Sequence, residues 1–162
     1  MTLGSKTIER LKTLGSFSEG QQTLRVEHDG FRAEYDLVAA DSLSCALSEL
    51  RLESPNREAD EADSLNRWAD ALSNRVTYLL ERLERLETDV ESGTVILRSA
   101  PPEKTPTQTL YYEILLQQGG HLSLRRYSNG SGRERRTQVP CTCTHEQFEK
   151  LLDDLVRSVQ EA

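Results

Sequence analysis

The sequence predicts an α+β fold: an antiparallel sheet of about six or seven strands with helices packed on one face, in the order α-βββ-α-ββββ-α. Two patterns support this prediction. Apolar and charged residues alternate in short runs such as 31–37, as they do in strands that bury one face. In 5–14, 65–86 and 148–159 the apolar residues recur every three or four positions, as they do on amphipathic helices.

The chain is predicted to form one globular domain over residues 1–162, since 162 residues are enough to bury a single core. Two polar or proline-rich stretches, 54–63 and 100–107, are predicted internal linkers. The composition is 36% hydrophobic and 29% charged, which excludes collagen-like and low-complexity chains. No run approaches the roughly 20 apolar residues of a membrane span, and residues 1–6 do not resemble a signal peptide, so we expect a cytoplasmic location.

The first helix is predicted over residues 5–14. Ser5 is suited to cap its start, and Gly15 is suited to end it. Its apolar face consists of Ile8, Leu11 and Leu14. Because an isolated helix of this length is only marginally stable, we expect it to dock on the rest of the domain.

A β-hairpin is predicted after the first helix. Leu24 and Val26 alternate with charged residues, and the next strand, 31–37, alternates in the same way. Asp29 and Gly30 lie between the two runs, and Asp-Gly is a strong signal for a tight hairpin turn.

A third strand is predicted over residues 42–53. Its apolar positions change parity between Leu47 and Leu50. A β-bulge at Ser48 and Glu49 would keep one face buried along the whole strand, because a bulge adds one residue to the strand.

A long helix is predicted over residues 65–86. Its apolar stripe comprises Leu65, Trp68, Leu72, Val76, Leu79, Leu83 and Leu86. A helix that crosses the sheet would bury this stripe in the core. In the alternative, the helix also packs on a second copy of the chain, and we favour the core alone.

The second half of the sheet is predicted from four runs. A strand at 95–97 precedes the proline-rich stretch, and the strand at 109–117 is apolar on both faces, which indicates a central position. A hairpin of 121–127 and 133–139 follows, and its tip at 128–132 is rich in glycine and serine.

The last helix is predicted to begin after Thr144, which forms a capping-box pattern with Gln147. Its apolar residues are Phe148, Leu151, Leu152, Leu155, Val156 and Val159. A face this wide requires burial, so we expect the helix to be essential to the fold.

Charge is unevenly distributed along the chain. Twenty Lys and Arg against 27 Asp and Glu give a net charge of −7. Residues 119–140 contain five arginines and one glutamate, a local charge of +4, so the remaining residues carry −11. Because phosphate backbones repel a negative chain, general nucleic-acid binding is disfavoured.

The arginine-rich hairpin 121–139 is nevertheless the candidate binding site. Its candidate binding residues are Arg125, Arg126, Tyr127, Arg133, Arg135 and Arg136. Tyrosine rings stack on bases and arginines contact phosphates, so one hypothesis is a single-stranded nucleic-acid site. In the alternative, the arginines pair with neighbouring acids or with an acidic patch on a partner. The charge of the remaining chain favours the alternative.

Cys141, Cys143 and His145, with Cys45, are weak candidates for zinc ligands. Side chains two residues apart on a strand lie about 6–7 Å apart, whereas ligands of one zinc ion must approach more closely. We therefore predict that Cys141 and Cys143 are buried core residues and that neither a metal nor another cofactor is bound. Three cysteines without a secretion signal also indicate reduced thiols.

Motifs of the common enzyme classes do not occur in the sequence: it has no glycine-rich phosphate loop, no nucleophile elbow and no zinc-protease motif. Its histidines are His28, His121 and His145. None of them has a recognisable spacing to a serine or cysteine nucleophile and an acid. We therefore predict a non-enzymatic protein with no catalytic residues.

The order of elements resembles that of two groups of small proteins over most of the chain. One group is the type III secretion chaperones, and this resemblance implies a homodimeric module that binds segments of protein partners. The other is the whirly-type single-stranded DNA binders, and this resemblance implies nucleic-acid binding through the hairpin 121–139. Neither group's motifs occur here, so no functional residue is transferred. We predict a protein-interaction module that self-associates, with nucleic-acid binding as the alternative.

Overall fold

The structure, a computed structural model, describes residues 1–55, 62–78, 82–89, 91–100, 103–104, 106, 108–130 and 136–161. Within these residues the helices are α1 (Leu3–Leu14), α2 (Ala62–Arg75) and α3 (His145–Glu161). The strands are β1 (Gln22–His28), β2 (Phe31–Ala40), β3 (Ser44–Glu53), β4 (Arg82–Asp89), β5 (Thr94–Ala100), β6 (Glu103–Lys104), β7 (Gln108–Gln117), β8 (His121–Gly130), β9 (Thr137–Val139) and β10 (Cys141–Thr144). The predicted α+β class and order of elements are confirmed.

Seven strands form the main path of the sheet, in the order β1-β2-β3-β8-β7-β5-β4. The short strands β6, β9 and β10 pair with β7, β8 and β3, and all of these pairings are antiparallel. β3 and β8 meet in the middle of the path, where Leu50 lies opposite Leu124. This pairing joins the first three strands of the chain to the strands of its second half.

The turn between β1 and β2 forms where the sequence predicts it. Asp29 has a φ of 50° and Gly30 a φ of 83°. Positive φ at both central residues defines a type I′ turn, whose twist matches that of the flanking strands. The turn therefore sets the register in which β1 pairs with β2, beginning with His28 opposite Phe31.

The bulge predicted in the third strand is also present. Asp36 of β2 pairs with Glu49 of β3, whereas Leu37 pairs with Leu47, so Ser48 is the extra residue of β3. A second shift follows Leu37 and restores the register. The bulge lets the leucines on both of its sides face the core despite their change of parity.

The long helix predicted over residues 65–86 is wrong in its second half. α2 ends at Arg75, and residues 82–89 form β4, which pairs with β5. A bulge between Arg85 and Glu87 adds one residue to β4, so a spacing of three between leucines does not require a helix here. The predicted helical residues 79–81 lie outside the described residues.

The first helix begins earlier than predicted, and its cap is Thr2 instead of Ser5. The Thr2 hydroxyl accepts the Ser5 backbone N–H at 3.1 Å, and the Ser5 hydroxyl accepts the Thr2 backbone N–H at 2.8 Å. This reciprocal pair is a capping box, which satisfies two otherwise free donors. The predicted end is confirmed, because the Gly15 N–H donates to the Leu11 carbonyl.

The core lies between one face of the sheet and the three helices, and α3 occupies the middle of the helical layer by packing on both α1 and α2. The ring of Phe148 contacts Tyr35 edge to face, with 5.1 Å between centroids. The Tyr35 hydroxyl is hydrogen-bonded to Thr7 of α1 at 2.9 Å. Trp68 of α2 donates to the Ser158 hydroxyl at 3.0 Å. The Tyr35 side chain therefore links the sheet to two of the helices.

Substituting Phe148 should test the predicted importance of α3. Phe148 is fully buried, so Phe148→Ala should lower the free energy of unfolding by about 3–5 kcal/mol in urea denaturation. Gln160→Ala, at an exposed position of the same helix, is the control and should change it by less than about 0.5 kcal/mol. Truncation after Cys143 should leave the chain unfolded. Cooperative unfolding at an unchanged midpoint in the truncated chain would contradict this role.

Gly4 is expected to resist substitution because α1 and α3 approach closely there. A Cβ atom at Gly4 would lie 2.6 Å from the Glu149 carbonyl oxygen and 2.7 Å from Oδ1 of Asp153. Gly4→Ala should therefore destabilise the protein by about 1–3 kcal/mol in thermal or urea unfolding. Intrinsic helix propensity alone would favour Ala by about 1 kcal/mol. A destabilised Gly4→Ala variant would therefore show that the close contact outweighs propensity, and a stabilised one would contradict this. Arg10→Ala, at an exposed position of α1, is the matched control.

Candidate functional site

The face of the sheet opposite the helices, called here the open face, carries a series of ion pairs between neighbouring strands. Successive strand residues point to opposite faces, so the charged residues of the alternating runs lie together on this side. The side chains that make cross-strand contacts on the open face include Arg25, Glu34, Asp36, Glu49, Arg51, Arg98, Tyr111, Glu113, Arg125, Tyr127 and Arg136. They come from strands of both halves of the chain.

Arg51 is the centre of the first group of ion pairs on the open face. Its guanidinium lies 2.7 Å from Asp36, 3.2 Å from Glu34 and 3.1 Å from Glu49. The hydrogen bond from Arg51 holds the pKa of Asp36 below its ordinary value. Glu49 also pairs with Arg125 of β8 at 3.1 Å, so the ion pairs cross from β2 through β3 to β8.

Arg98, Tyr111, Glu113, Tyr127 and Arg136 form a second group, called here the arginine–tyrosine cluster. Glu113 accepts from Arg98 at 3.0 Å and from Arg136 at 2.7 Å. The two tyrosine rings pack together with centroids 5.8 Å apart. The Arg98 guanidinium lies 4.6 Å from the centroid of Tyr111, and that of Arg136 lies 3.9 Å from the centroid of Tyr127. The rings are buried beneath these cations.

The acids and the arginines of the open face lie at different depths. Three of the four carboxylate side chains in the two groups are 11–15% exposed, namely Asp36, Glu49 and Glu113, whereas the fourth, Glu34, is 40% exposed. The arginine side chains that pair with them are 37–42% exposed, namely Arg51, Arg98, Arg125 and Arg136. These four arginines are called here the guanidinium layer. Above Asp36, Glu49 and Glu113, an approaching molecule therefore meets guanidinium groups first.

The candidate residues of the arginine-rich hairpin do not form one surface. Arg125, Tyr127 and Arg136 lie on the open face, whereas Arg126 is buried on the helix side with its guanidinium 4.4 Å from the centroid of Tyr112. The alternation of side chains along β8 separates Arg125 from Arg126. Arg133 and Arg135 lie outside the described residues.

Sequence reasoning missed the other members of the open-face site. Arg51, Arg98 and the acids Asp36, Glu49 and Glu113 were not singled out as site residues. The register of the paired strands identifies them, because it places Glu113 opposite both Arg98 and Arg125. That register is set by pairing between strands and is not visible in one strand's sequence.

A cavity of about 340 Å³ lies on the helix side, next to Arg126. Its lining residues are Tyr78, Tyr112, Arg126, Pro140, Thr142, Cys143, Gln147 and Leu151. The Tyr78 hydroxyl donates to Asp154 at 2.5 Å, and the Lys150 ammonium lies 3.9 Å from the centroid of the Tyr78 ring. These contacts fix one wall of the cavity against α3.

The three cysteines lie on the core face, and Cys143 of β10 is directly opposite Cys45 of β3. The prediction that Cys141 and Cys143 are buried is confirmed, and α3 begins two residues after Cys143. Thr144 and Gln147 form both hydrogen bonds of the predicted capping box. Burial raises the pKa of Cys45 and Cys141 to about 12 and that of Cys143 to about 11.

The weak candidates for zinc ligands are Cys141, Cys143 and His145, with Cys45. In the part of the chain that the structure describes, no group of three or more His, Cys, Asp or Glu side chains is placed to hold a metal ion. The backbone N–H of His145 donates to the Leu43 carbonyl at 2.8 Å, which ties the start of α3 to the turn before β3. Absence of bound metal stays a prediction.

Comparison with known proteins identifies no relative: the chain matches no protein-family model, and neither a curated protein nor a solved structure is significantly similar to it. Among the described residues, no helix is long and apolar enough to cross a membrane. The function must therefore be argued from the geometry of the site.

The buried thiols predict a loss of stability at high pH. Folding raises the pKa of each thiol above its ordinary value of 9.0. Above pH 9 the folded chain therefore keeps its thiol protons, whereas the unfolded chain releases them. The thiol contribution is therefore complete below about pH 9 and is lost as pH rises towards 11–12, by up to about 1.4 kcal/mol per pH unit for each thiol. Urea denaturation at pH 8 and at pH 10.5 measures this loss.

The control for the thiol prediction is a variant with Cys45, Cys141 and Cys143 all changed to Ala, which should lose less stability between the two pH values. In the unaltered protein, Ellman's reagent at pH 8 should react slowly until denaturant is added. Rapid reaction of the native thiols would contradict the prediction.

Proposed function

We propose that this chain is a non-enzymatic protein-interaction module whose open face docks an acidic segment of a partner protein. The observation that carries the proposal is the depth of the charges, since the guanidinium layer is more exposed than Asp36, Glu49 and Glu113, three of the four carboxylates that pair with it. The four arginines pair with four acids, and three of these acids lie beneath the guanidinium groups, in a chain whose net charge is −7.

The guanidinium layer is suited to carboxylates. Each guanidinium has five N–H donors in a planar fork, and an ion pair with the acid below uses only some of them. The remaining donors on the exposed edge can contact a partner's Asp or Glu while the underlying pair stays intact. Because Glu113 and Glu49 hold these arginines in place, less side-chain entropy is lost on binding than with free arginines.

Single-stranded nucleic acid is the second class of partner considered. The arginine–tyrosine cluster does combine two stacked rings with two cations, which is the combination such sites use. However, a base can stack on Tyr111 or Tyr127 only after the guanidinium of Arg98 or Arg136 has moved away. A partner carboxylate needs no such movement, so the geometry favours the acidic polypeptide.

The proposal also includes self-association and a cytoplasmic location. The three cysteines form no disulfide, and buried reduced thiols fit a reducing compartment. A homodimer would present two open faces, which increases the avidity for a partner with more than one acidic segment.

Fluorescence anisotropy with labelled probes tests the docking proposal. At about 150 mM salt, a short peptide of Glu and Ser should bind, whereas a peptide of Lys and Ser should not. Changing both Arg98 and Arg136 to Gln removes two exposed charge contacts, so the affinity for the acidic peptide should fall by about 5- to 30-fold. Arg157→Gln, an exposed position on α3, is the matched control and should leave the affinity unchanged.

A thymidine oligonucleotide is the competing probe. Tighter binding of this oligonucleotide than of the acidic peptide, lost in the same double variant, would replace the proposal with the nucleic-acid alternative. No binding of either probe would show that the open face is not a docking surface for charged polymers.

A further inference from the structure

β1 is one of the two edges of the main sheet, and its outer side is geometrically suited to pair with another strand. It runs for seven residues beside β2 without a register shift. β4, at the opposite edge, has a bulge between Arg85 and Glu87, and bulges protect edges from pairing. β1 is therefore the more regular of the two edges.

The hairpin register identifies which backbone groups of β1 point outwards. In a two-residue type I′ hairpin the closing residues, His28 and Phe31, exchange both backbone hydrogen bonds. The pattern then alternates, so Glu27 and Arg25 direct their N–H and C=O groups away from β2. One contact agrees with this assignment, since the Lys6 ammonium donates to the Glu27 carbonyl at 2.6 Å.

We propose that the chain forms a symmetric homodimer in which β1 pairs antiparallel with β1 of a second copy, about a two-fold axis at Val26. In this register Arg25 lies opposite Glu27 of the partner subunit, and Glu27 lies opposite Arg25 of the partner subunit. Both residues have outward backbone groups, so the two pairs form four backbone hydrogen bonds. The two sheets become one continuous sheet.

Charge selects this register over its neighbours. A two-fold axis at Arg25 would place two arginines directly opposite each other, which is destabilising. The axis at Val26 instead creates two opposite-charge pairs at a cross-strand separation of about 4.5–5.5 Å between Cβ atoms. The side chains of Arg25 and Glu27 are 71% and 70% exposed, so both are accessible to a second copy.

Within one chain Arg25 and Glu27 already form ion pairs, and these pairs are weak enough for the dimer contacts to replace them. Arg25 lies 3.7 Å from Glu34, and Glu27 lies 3.4 Å from Arg32, in exposed pairs that contribute little. Lys6 must release the Glu27 carbonyl, which then accepts a backbone N–H of the partner. Charged edge strands also serve to prevent pairing in monomers, and the register-specific variants below separate the two roles.

Sedimentation velocity of the full chain over a range of micromolar concentrations tests the dimer, and charge reversal tests the interface. Arg25→Glu converts both attractive pairs into repulsive ones, so the dimer dissociation constant should rise by about 5- to 50-fold. Combining Arg25→Glu with Glu27→Arg restores opposite charges in the same register, and the dissociation constant should return towards its original value.

Proline substitution tests the backbone pairing separately. Arg25→Pro removes an outward N–H, so it should abolish the dimer while thermal unfolding stays cooperative. Val26→Pro is the matched control, because it removes an N–H that pairs with β2 and should destabilise the monomer itself. Lys6→Ala frees the Glu27 carbonyl and should tighten the dimer.

This interface rests on the proposed self-association, and the outcomes separate the two. If the protein stays monomeric at about 100 μM, a concentration well above the dissociation constant of a specific homodimer, both the homodimer and the interface are overturned. A dimer whose dissociation constant is unchanged by Arg25→Glu and by Arg25→Pro overturns the interface alone. Binding of the acidic peptide is independent of either result.

Discussion

The pairing of β3 with β8 is the contact on which the rest of the structure depends. It joins the sheet of the first three strands to the sheet of the second half at Leu50 and Leu124, and α3 packs on the helix side of the joined sheet. The same pairing brings Glu49 beside Arg125, which are far apart in sequence. This one strand register therefore joins the two halves of the core and links the ion pairs of β2 and β3 to β8.

One period-two alternation along β8 produces two different environments. Leu124 and Arg126 face the helices, whereas Arg125 and Tyr127 face outwards. An arginine on the helix side is buried against an aromatic ring, and an arginine on the open face lies over carboxylates. The neighbouring arginines Arg125 and Arg126 therefore differ in exposure and in contacts, and Arg125, on the open face, is the one accessible to a macromolecular partner.

Local signals in the sequence predicted the features that depend on a few neighbouring residues. These were the Asp-Gly turn, the bulge at Ser48 and the capping box at Thr144. Only the second half of the helix 65–86 was predicted wrongly, because leucines three apart also fit a bulged strand, and pairing with β5 makes residues 82–89 a strand. The ion pair of Glu49 with Arg125 was not predictable, since it depends on strands that meet only in the folded sheet.

Net charge is a poor guide to what this surface binds. The net charge of −7 repels phosphate, but at physiological ionic strength a charge is screened beyond about 8 Å. Within that distance a partner at the open face meets the guanidinium layer, and Asp36, Glu49 and Glu113 are less exposed than these arginines. Geometry disfavours nucleic acid here, because Tyr111 and Tyr127 are covered by arginines that must move before a base can stack. A carboxylate approaches the exposed edges of these same groups directly, so the layering of charges favours the acidic polypeptide, whereas the net charge of −7 opposes both kinds of anionic partner alike.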